Sequence, residues 1–337
     1  MSQVNAGVIG VGDFGALHLD VYQQMLDVEI VAISDTREER LREVAQRYAV
    51  PHCYADYQEL CARSDIDFVS VATPEATHVG PVLAAAAGGK HILLEKPIAT
   101  TCQDAETIAD AVRRAGVFLM VGHILRFEPH YATIKRMIDD GRLGRVVSIH
   151  ARRNRPKQQH AIYGHRVHAL IVNAIHDIDA CLWYMQDRVV RVRGITRNTR
   201  GEGYPDLNWG TLEFERGGVA CLETHWLLPD EGGITTDDAM RVIGTEGVAH
   251  LQLVPSPLTV WTESGAISMN TSYDARYQSE VRGAIKEEIA YFVDSVRRNR
   301  PPVAVPTDQA IEALRIALAL IESAQQDVPI ELAATDA

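Results

Sequence analysis

No apolar run in this 337-residue sequence approaches the roughly 18 residues that a membrane-spanning helix needs, so no helical span is predicted. The amino terminus also lacks a basic stretch followed by an apolar block, and a cytoplasmic location is the expectation. Cysteine is scarce. The five present (Cys53, Cys61, Cys102, Cys181 and Cys221) are odd in number, widely spaced and free of any CxxC pair. That pattern argues against a disulfide framework and against a zinc knuckle. Positive charge is in deficit: 33 Lys and Arg against 45 Asp and Glu leave a net charge of −12, which disfavours generic nucleic-acid binding. Aromatics make up only 6% of a chain that is 46% hydrophobic, the balance of an ordinary globular protein with an aliphatic core. Internal repeats and low-complexity tracts are missing too, and only the closing "ELAATDA" reads as a loose tail.

What is present divides in two, as the length suggests. Up to about Gly122, short apolar runs alternate with helical patterns. The runs are "NAGVIG", "VEIVAISD", "IDFVSVATP", "HILLEKP" and "VFLMVGH". Nearly continuous apolar strands between helices imply a parallel sheet covered on both faces. Beyond that point "RVVSIHARRN", "VVRVRGITRN", "WGTLEFERGG", "VACLETHWLL", "AMRVIGTEG" and "LTVWTES" tend to alternate apolar with polar, and "ERGGVA" and "GTEGVA" carry hairpin glycines. One helix is predicted across "VHALIVNAIHDIDACLWYM", with two more on either side of Pro301-Pro302. The predicted fold is therefore α/β. A doubly wound parallel sheet of Rossmann type fills residues 1–121, and an α+β domain with a largely antiparallel, open sheet fills 122–337. The free face of that second sheet is a candidate oligomer interface.

The stretch "GVIGVGDFGALH" holds Gly10-x-Gly12-x-x-Gly15 between a strand and a helix, the order a dinucleotide fingerprint requires. Gly10 allows the sharp turn, Gly12 lets backbone approach a pyrophosphate, and Gly15 permits close helix–strand packing. The helix amino terminus would then offer unpaired N–H groups to the phosphates. Asp35 closes the second strand, where a carboxylate would accept hydrogen bonds from an adenosine ribose and repel a 2′-phosphate. NAD is thus expected over NADP, with Arg37 keeping the second open. The alternative is a packing turn without a ligand.

More specific is "LLEKP", with Glu95-Lys96-Pro97 at a strand end. It resembles the signature of the Gfo/Idh/MocA family, the relatives of glucose-fructose oxidoreductase and inositol dehydrogenase. "VATPEATH", "GHILRFEPHY", "GRLGRV", "IHDID" and "VIGTEG" match further family segments in the right order. The resemblance implies cofactor contacts from Gly10, Gly12, Asp13, Phe14 and Gly15. It adds Asp35, Thr36 and Arg37 at the ribose end, and Thr73, Pro74, His78, Glu95 and Lys96 beside the nicotinamide. Hydride loss from a carbinol requires its hydroxyl proton to leave as well, so a base must stand within hydrogen-bond reach. Lys96 is the candidate, with Glu95 read as orienting it rather than reacting. A solvated strand-end lysine is the bland alternative.

His176 sits where the family carries its acid/base histidine, and it is the second catalytic candidate. Family members commonly have an aspartate at the position of Val172, so the usual lysine–aspartate–histidine set is incomplete here. His168, Val172 and His176 are spaced i, i+4, i+8 and so share one helix face, which makes His168 the first candidate to compensate, with Arg166 and Asn173 behind it. Asp179 matches the motif and is read as structural. A metal reading of His165, His168 and His176 is disfavoured, because the helical slot between the last two is valine.

"HARRNRPK" supplies Arg153 and Arg155, which on one strand face could grip an anionic substrate, and Arg126 is another candidate substrate contact. A solvated basic edge is the competing reading. Trp209, Trp226 and Tyr163 are possible stacking surfaces for a sugar ring, although core packing is the commoner use. The implied activity is NAD-dependent oxidation of a secondary hydroxyl of a sugar, sugar derivative or cyclitol. The implied partners are that small molecule and further copies of the chain, as a homodimer or homotetramer, with neither nucleic acid nor membrane. Two alternatives stand beside it: a non-catalytic dinucleotide-binding regulator, and a glycosidase that retains its NAD.

Overall fold

The computed structural model describes residues 3–231, 235–253, 259–262, 265–268 and 272–333. The first half runs β1 (Val4–Ile9), α1 (Asp13–Tyr22), β2 (Val28–Ser34), α2 (Glu38–Tyr48), β3 (His52–Tyr54), α3 (Tyr57–Cys61), β4 (Phe68–Val71), α4 (Val79–Ala87), β5 (His91–Leu94), α5 (Cys102–Ala115) and β6 (Leu119–Val121). The second half runs α6 (Pro129–Asp139), β7 (Val146–Asn154), α7 (Lys157–Tyr163), α8 (Ala169–Val172), α9 (Ile175–Met185), β8 (Val189–Arg197), β9 (Leu207–Phe214), β10 (Val219–His225), β11 (Asp237–Gly244) and β12 (Val248–Gln252). Two small hairpins follow, β13 (Thr259–Thr262) with β14 (Gly265–Ser268) and β15 (Arg276–Tyr277) with β16 (Glu280–Val281). The chain closes with α10 (Ala284–Arg297), α11 (Thr307–Gln326) and β17 (Ile330–Glu331).

In the first sheet the strand order is β3-β2-β1-β4-β5-β6, every pair parallel. Its central strands are almost wholly buried, as the apolar runs predict, and Val8, Phe68, Val69 and Leu94 are fully inaccessible. The order reverses between β1 and β4, so the carboxyl ends of those two strands open the crevice where such sheets hold ligands. Helix α5 is delimited by local chemistry. The Thr101 hydroxyl accepts from the Asp104 N–H at its start, and Gly116, in the left-handed region, closes it.

The second sheet runs β12-β11-β7-β10-β9-β8-β17. Only β7 and β10 pair in parallel, so it is mixed and mostly antiparallel. Both predicted glycine hairpins form, joining β9 to β10 and β11 to β12. Two short strands, β3 and β12, and helices α3 and α7 have too little apolar patterning to stand out in the sequence. Glu331 of the expected tail lies in β17 and pairs with Arg191 of β8, while residues 334–337 lie outside those described.

Two expectations need correction. The chain divides into one compact unit of Met1–Ile124 with Asp274–Ile311 and another of Leu125–Tyr273 with Glu312–Ala337. A single cut at 121/122 therefore misplaces α10. Its Ile285, Ile289, Phe292 and Val293 are buried in the first unit, with the Phe292 ring edge-on to Phe68 of β4 at 5.7 Å. An exposed sheet face recruits whichever amphipathic helix can cover it, wherever that helix falls in the chain. The single helix predicted through 167–185 is also broken. His168 is extended and caps α8, and the chain turns at Asn173 (φ −107°, ψ −61°) before α9 begins.

Candidate active site

At the carboxyl end of β1 each fingerprint glycine has a separable reason. Gly10 has φ +85°, and a Cβ there would lie 2.8 Å from the Ala72 carbonyl. At Gly15 a Cβ would fall 1.9 Å from the Gly10 carbonyl oxygen, so α1 and β1 could not approach as they do. Gly12 differs, because a Cβ there would meet only the Arg37 guanidinium, at 3.7 Å. The fold itself does not need Gly12 to be bare. A ligand laid across the turn would need it so, and the α1 amino terminus beside it presents unpaired N–H groups, as a pyrophosphate requires. Asp13 and Phe14 are exposed at that terminus, and Thr36 is exposed after β2.

Asp35 directly follows β2 and is nearly buried. Its carboxylate accepts from the Val11 N–H at 3.0 Å, from the Arg37 N–H at 2.9 Å and from Arg37 Nε at 3.2 Å. Burial alone would raise its pKa, but the Arg37 hydrogen bonds, the Val11 N–H and the Arg37 charge outweigh it and hold the carboxyl below its usual value. Arg40 Nε donates to the Val11 carbonyl at 2.8 Å, so α2 also braces the turn. Nothing in the spacing of Arg40 signals that role.

Thr73 and Pro74 follow β4, the first half-buried and the second exposed. His78 does not offer a polar atom to a cofactor. Its ring is 1% exposed, with Nδ1 2.9 Å from the Pro97 carbonyl oxygen and Nε2 3.0 Å from that of Thr73. Burial lowers its pKa despite these two acceptors, and the ring stands between the 73–74 segment and Pro97. Lys96 follows β5 by a single residue and is joined to Pro97 by a cis peptide bond.

Glu95 is likewise turned inward. Its Oε1 accepts from His18 Nε2 at 3.1 Å and its Oε2 from the Lys96 N–H at 3.3 Å. Burial would raise the Glu95 pKa, but the His18 hydrogen bond, with the electrostatic pull of His18, Lys96 and His78, holds it below its ordinary value. This is an orienting role rather than a cofactor contact. His18, Ser70 and Tyr22, which continue the chain from Glu95, are absent from the sequence reading. The available signals are slight: a polar Ser70 inside the apolar run "FVSV", and a histidine one turn beyond Gly15.

In the second unit His176 lies in the first turn of α9, half-buried. Its two acidic neighbours point apart, each to an arginine. Arg126 donates to Asp179 from Nε at 2.9 Å and Nη2 at 2.6 Å. Arg153 donates to Asp177 from Nε at 2.8 Å and Nη2 at 3.0 Å, and to Asp238 from Nη1 at 3.0 Å. Arg155 and the Tyr273 hydroxyl complete the shell around Asp238. Burial would raise the Asp238 pKa, but the two guanidinium charges hold it low. At Asp177 burial prevails over Arg153 and moves the pKa up.

The substrate roles expected of Arg126, Arg153 and Arg155 are therefore corrected. Arg126 and Arg153 are buried among their own carboxylates, and Arg155 is bound to the same Asp238, so none offers a spare fork to an anion. His168 is corrected as well. Its Nδ1 accepts from the Leu170 N–H at 3.1 Å as a helix cap, and burial lowers its pKa to about 4, so it does not share a face with His176. Asn173 stays a candidate, since its Nδ2 is buried with no hydrogen-bond acceptor among the described atoms. Trp226 is fully buried core, whereas Trp209 is 37% exposed on a strand. Among the described residues no group of three or more His, Cys, Asp or Glu is placed to hold a metal.

The class this fold and turn define is matched by sequence. Residues 4–123 match the model of the "Oxidoreductase family, NAD-binding Rossmann fold", and residues 131–250 match the "GFO/IDH/MocA C-terminal domain". The chain belongs to the Gfo/Idh/MocA family. Among curated relatives, the scyllo-inositol 2-dehydrogenase (NAD(+)) of Bacillus subtilis is 26% identical over 340 residues, covering 98% of this chain and 96% of that protein. The 4-carboxy-2-hydroxymuconate-6-semialdehyde dehydrogenase of a Sphingobium species is 31% identical over 222 residues, 63% of this chain and 69% of its own length. In fold, the chain is similar to scyllo-inositol dehydrogenase from Lactobacillus casei with bound NAD(H) and scyllo-inositol, with a TM-score of 0.84 at 21% identity, covering 98% and 99% of the two chains.

Proposed function

We propose that this protein oxidises a secondary ring alcohol of a cyclitol or sugar to the carbonyl with NAD as acceptor, Lys96 and His176 assisting the proton transfer. NAD, when bound, supplies the nicotinamide carbon that takes up the hydride. The chain's own residues do the rest. The turn at Gly12 and the α1 amino terminus receive the pyrophosphate, and Asp35 receives the adenosine ribose. The Lys96 amine, in its neutral form, accepts the hydroxyl proton as the carbinol carbon becomes trigonal. His176 serves as the second proton-transfer group, and the Asn173 amide is a donor available to a substrate oxygen.

The observation that carries this reading is the space at Gly12, kept clear by the fold for no packing reason, at the strand-order switch of a sheet whose β5 leads into Glu95-Lys96-Pro97. Membership of an oxidoreductase family with inositol dehydrogenases among its full-length relatives supports the substrate class. The test is a screen of inositols and monosaccharides with NAD and NADP side by side, following absorbance of the reduced nicotinamide. Net reduction of NAD by a cyclitol or sugar is the expected result. Binding without turnover, or sugar release without net reduction, would overturn it. The variant Lys96→Met should lose turnover by about a hundredfold or more while keeping its NAD affinity.

A further inference from the structure

Behind Glu95 lies a continuous buried chain of hydrogen-bonding side chains with no evident packing purpose. His18 of α1 stands between two partners, its Nε2 3.1 Å from Glu95 Oε1 and its Nδ1 3.0 Å from Ser70 Oγ. The Tyr22 hydroxyl lies 2.5 Å from the same Ser70 oxygen. His18, Ser70 and Tyr22 are all at most 1% exposed, so water is kept from the links between them.

With a neutral His18 ring, the donor and acceptor inventory leaves one consistent assignment. Glu95, whose pKa is held low, is a carboxylate and only accepts, so His18 Nε2 carries the hydrogen. A neutral His18 then has a bare Nδ1, which Ser70 must fill with its single O–H. Ser70 in turn accepts from Tyr22, whose pKa is raised first by burial and which keeps its proton. Every donor points one way, from Tyr22 through Ser70 and His18 to the Glu95 carboxylate. That carboxylate accepts the Lys96 main-chain N–H and feels the Lys96 charge.

We propose that His18 is a positioning residue for Lys96: acting through Glu95, and oriented by Ser70 and Tyr22, it keeps an ionised carboxylate fixed beside the lysine and so sets the pH at which its amine becomes a proton acceptor. This rests on the reading of Lys96 as the proton-transfer group. The charged and titratable groups acting on the relay are Lys96 beyond β5, His78 at the start of α4, and Glu288 of α10, whose charge acts on Tyr22. An anionic neighbour favours the ammonium form of Lys96. Removing the His18 hydrogen bond lets the largely buried Glu95 take up a proton, which removes that anionic neighbour. The amine then becomes neutral at lower pH.

The experiment is the pH profile of kcat/KM for the alcohol found in the screen, measured on the full chain. Glu95→Gln and His18→Leu should each move the acid limb to lower pH, by roughly one unit for Glu95→Gln. His18→Leu should add nothing in the Glu95→Gln background, because it acts only through that carboxylate. His18→Gln, which retains an N–H donor, should lie nearer the parent protein. Acid limbs that coincide with the parent's, or shifts that add in the double variant, would overturn the proposal. Lys96→Met separates the two readings: full activity there defeats the lysine assignment itself, whatever the His18 variants do. Should His18→Leu fail to fold, nitrogen-15 spectra of histidine-labelled parent protein decide the matter. Hydrogen on Nε2 with a bare Nδ1 is expected, with the signal assigned by its loss in His18→Gln, and the opposite tautomer would overturn the relay.

Discussion

Arg126 clasps Asp179 through two hydrogen bonds, Nε to Oδ2 at 2.9 Å and Nη2 to Oδ1 at 2.6 Å, with side chains only 3% and 0% exposed. A buried pair of this kind contributes little net stability when whole, yet removing one partner strands a charge away from water. Arg126→Ala should therefore destabilise the protein by about 3–5 kcal/mol, seen as a lower denaturant midpoint. The double replacement Arg126→Met with Asp179→Leu should recover much of that loss. Recovery would identify the pair as a brace of α9 rather than a substrate grip.

The glycine turn predicts two opposite phenotypes for one chemical change. Gly15→Ala places a methyl 1.9 Å from the Gly10 carbonyl oxygen, a backbone atom that cannot swing aside as the end of a flexible side chain would. Stability should fall by about 3 kcal/mol or more. Gly12→Ala meets only the mobile end of Arg37, at 3.7 Å, so the melting temperature should hardly move. Its NAD affinity should nevertheless fall by at least about tenfold, a change of roughly 1.4 kcal/mol measured by calorimetric titration.

Asp35 and Arg37 jointly set the choice of nucleotide. The Asp35 carboxylate is held ionised by Arg37 and the Val11 N–H, so it stays charged through the neutral range. Asp35→Ala should weaken NAD by roughly 1.5–3 kcal/mol, the range of a charge-assisted hydrogen bond. It should also narrow the preference over NADP, because the repulsion toward a 2′-phosphate is gone and Arg37 is released. Adding Arg37→Ala should reverse the gain in NADP use while leaving NAD little changed. Both effects are read from kcat/KM for the two nucleotides.

His168 makes stability depend on pH in a defined window. Burial lowers its pKa to about 4 in the folded protein, against an unfolded value near 6.5, so the unfolded chain takes up the proton first. Its contribution is fully present above about pH 6.5 and is lost as pH falls through about 4, an upper limit of about 3 kcal/mol. His168→Asn retains a side-chain acceptor for the Leu170 N–H. Denaturation curves should show its midpoint falling less than the parent's across this interval.

Much of the first unit was legible without coordinates. Alternation of apolar runs with helical patterns reports a parallel sheet because burial on both faces demands it at every strand position. The spacing of Gly10, Gly12 and Gly15 is local, enforced within one turn by contacts that neighbouring residues make with each other. Asp35 at the end of β2 and Lys96 just beyond β5 are placed by strand length alone. Helix α9 and the cap at His168 were less legible. A run of good helix formers does not reveal that a buried imidazole will accept from Leu170 and interrupt the helix.

The sequence alone thus determined the strand–helix rhythm, the nucleotide turn and the family. Tertiary structure alone decided which charged groups are spent inside the protein. Arg153 lies opposite Asp238 only because β7 and β11 pair in that register, and Asp177 reaches it only because α9 packs on β7. His18 meets Glu95 for the same reason, β1 and β5 both flanking β4. An arginine destined for a buried carboxylate and one destined for a substrate read identically in a sequence. Their difference is electrostatic, and the attraction acts only over a few ångströms that packing creates.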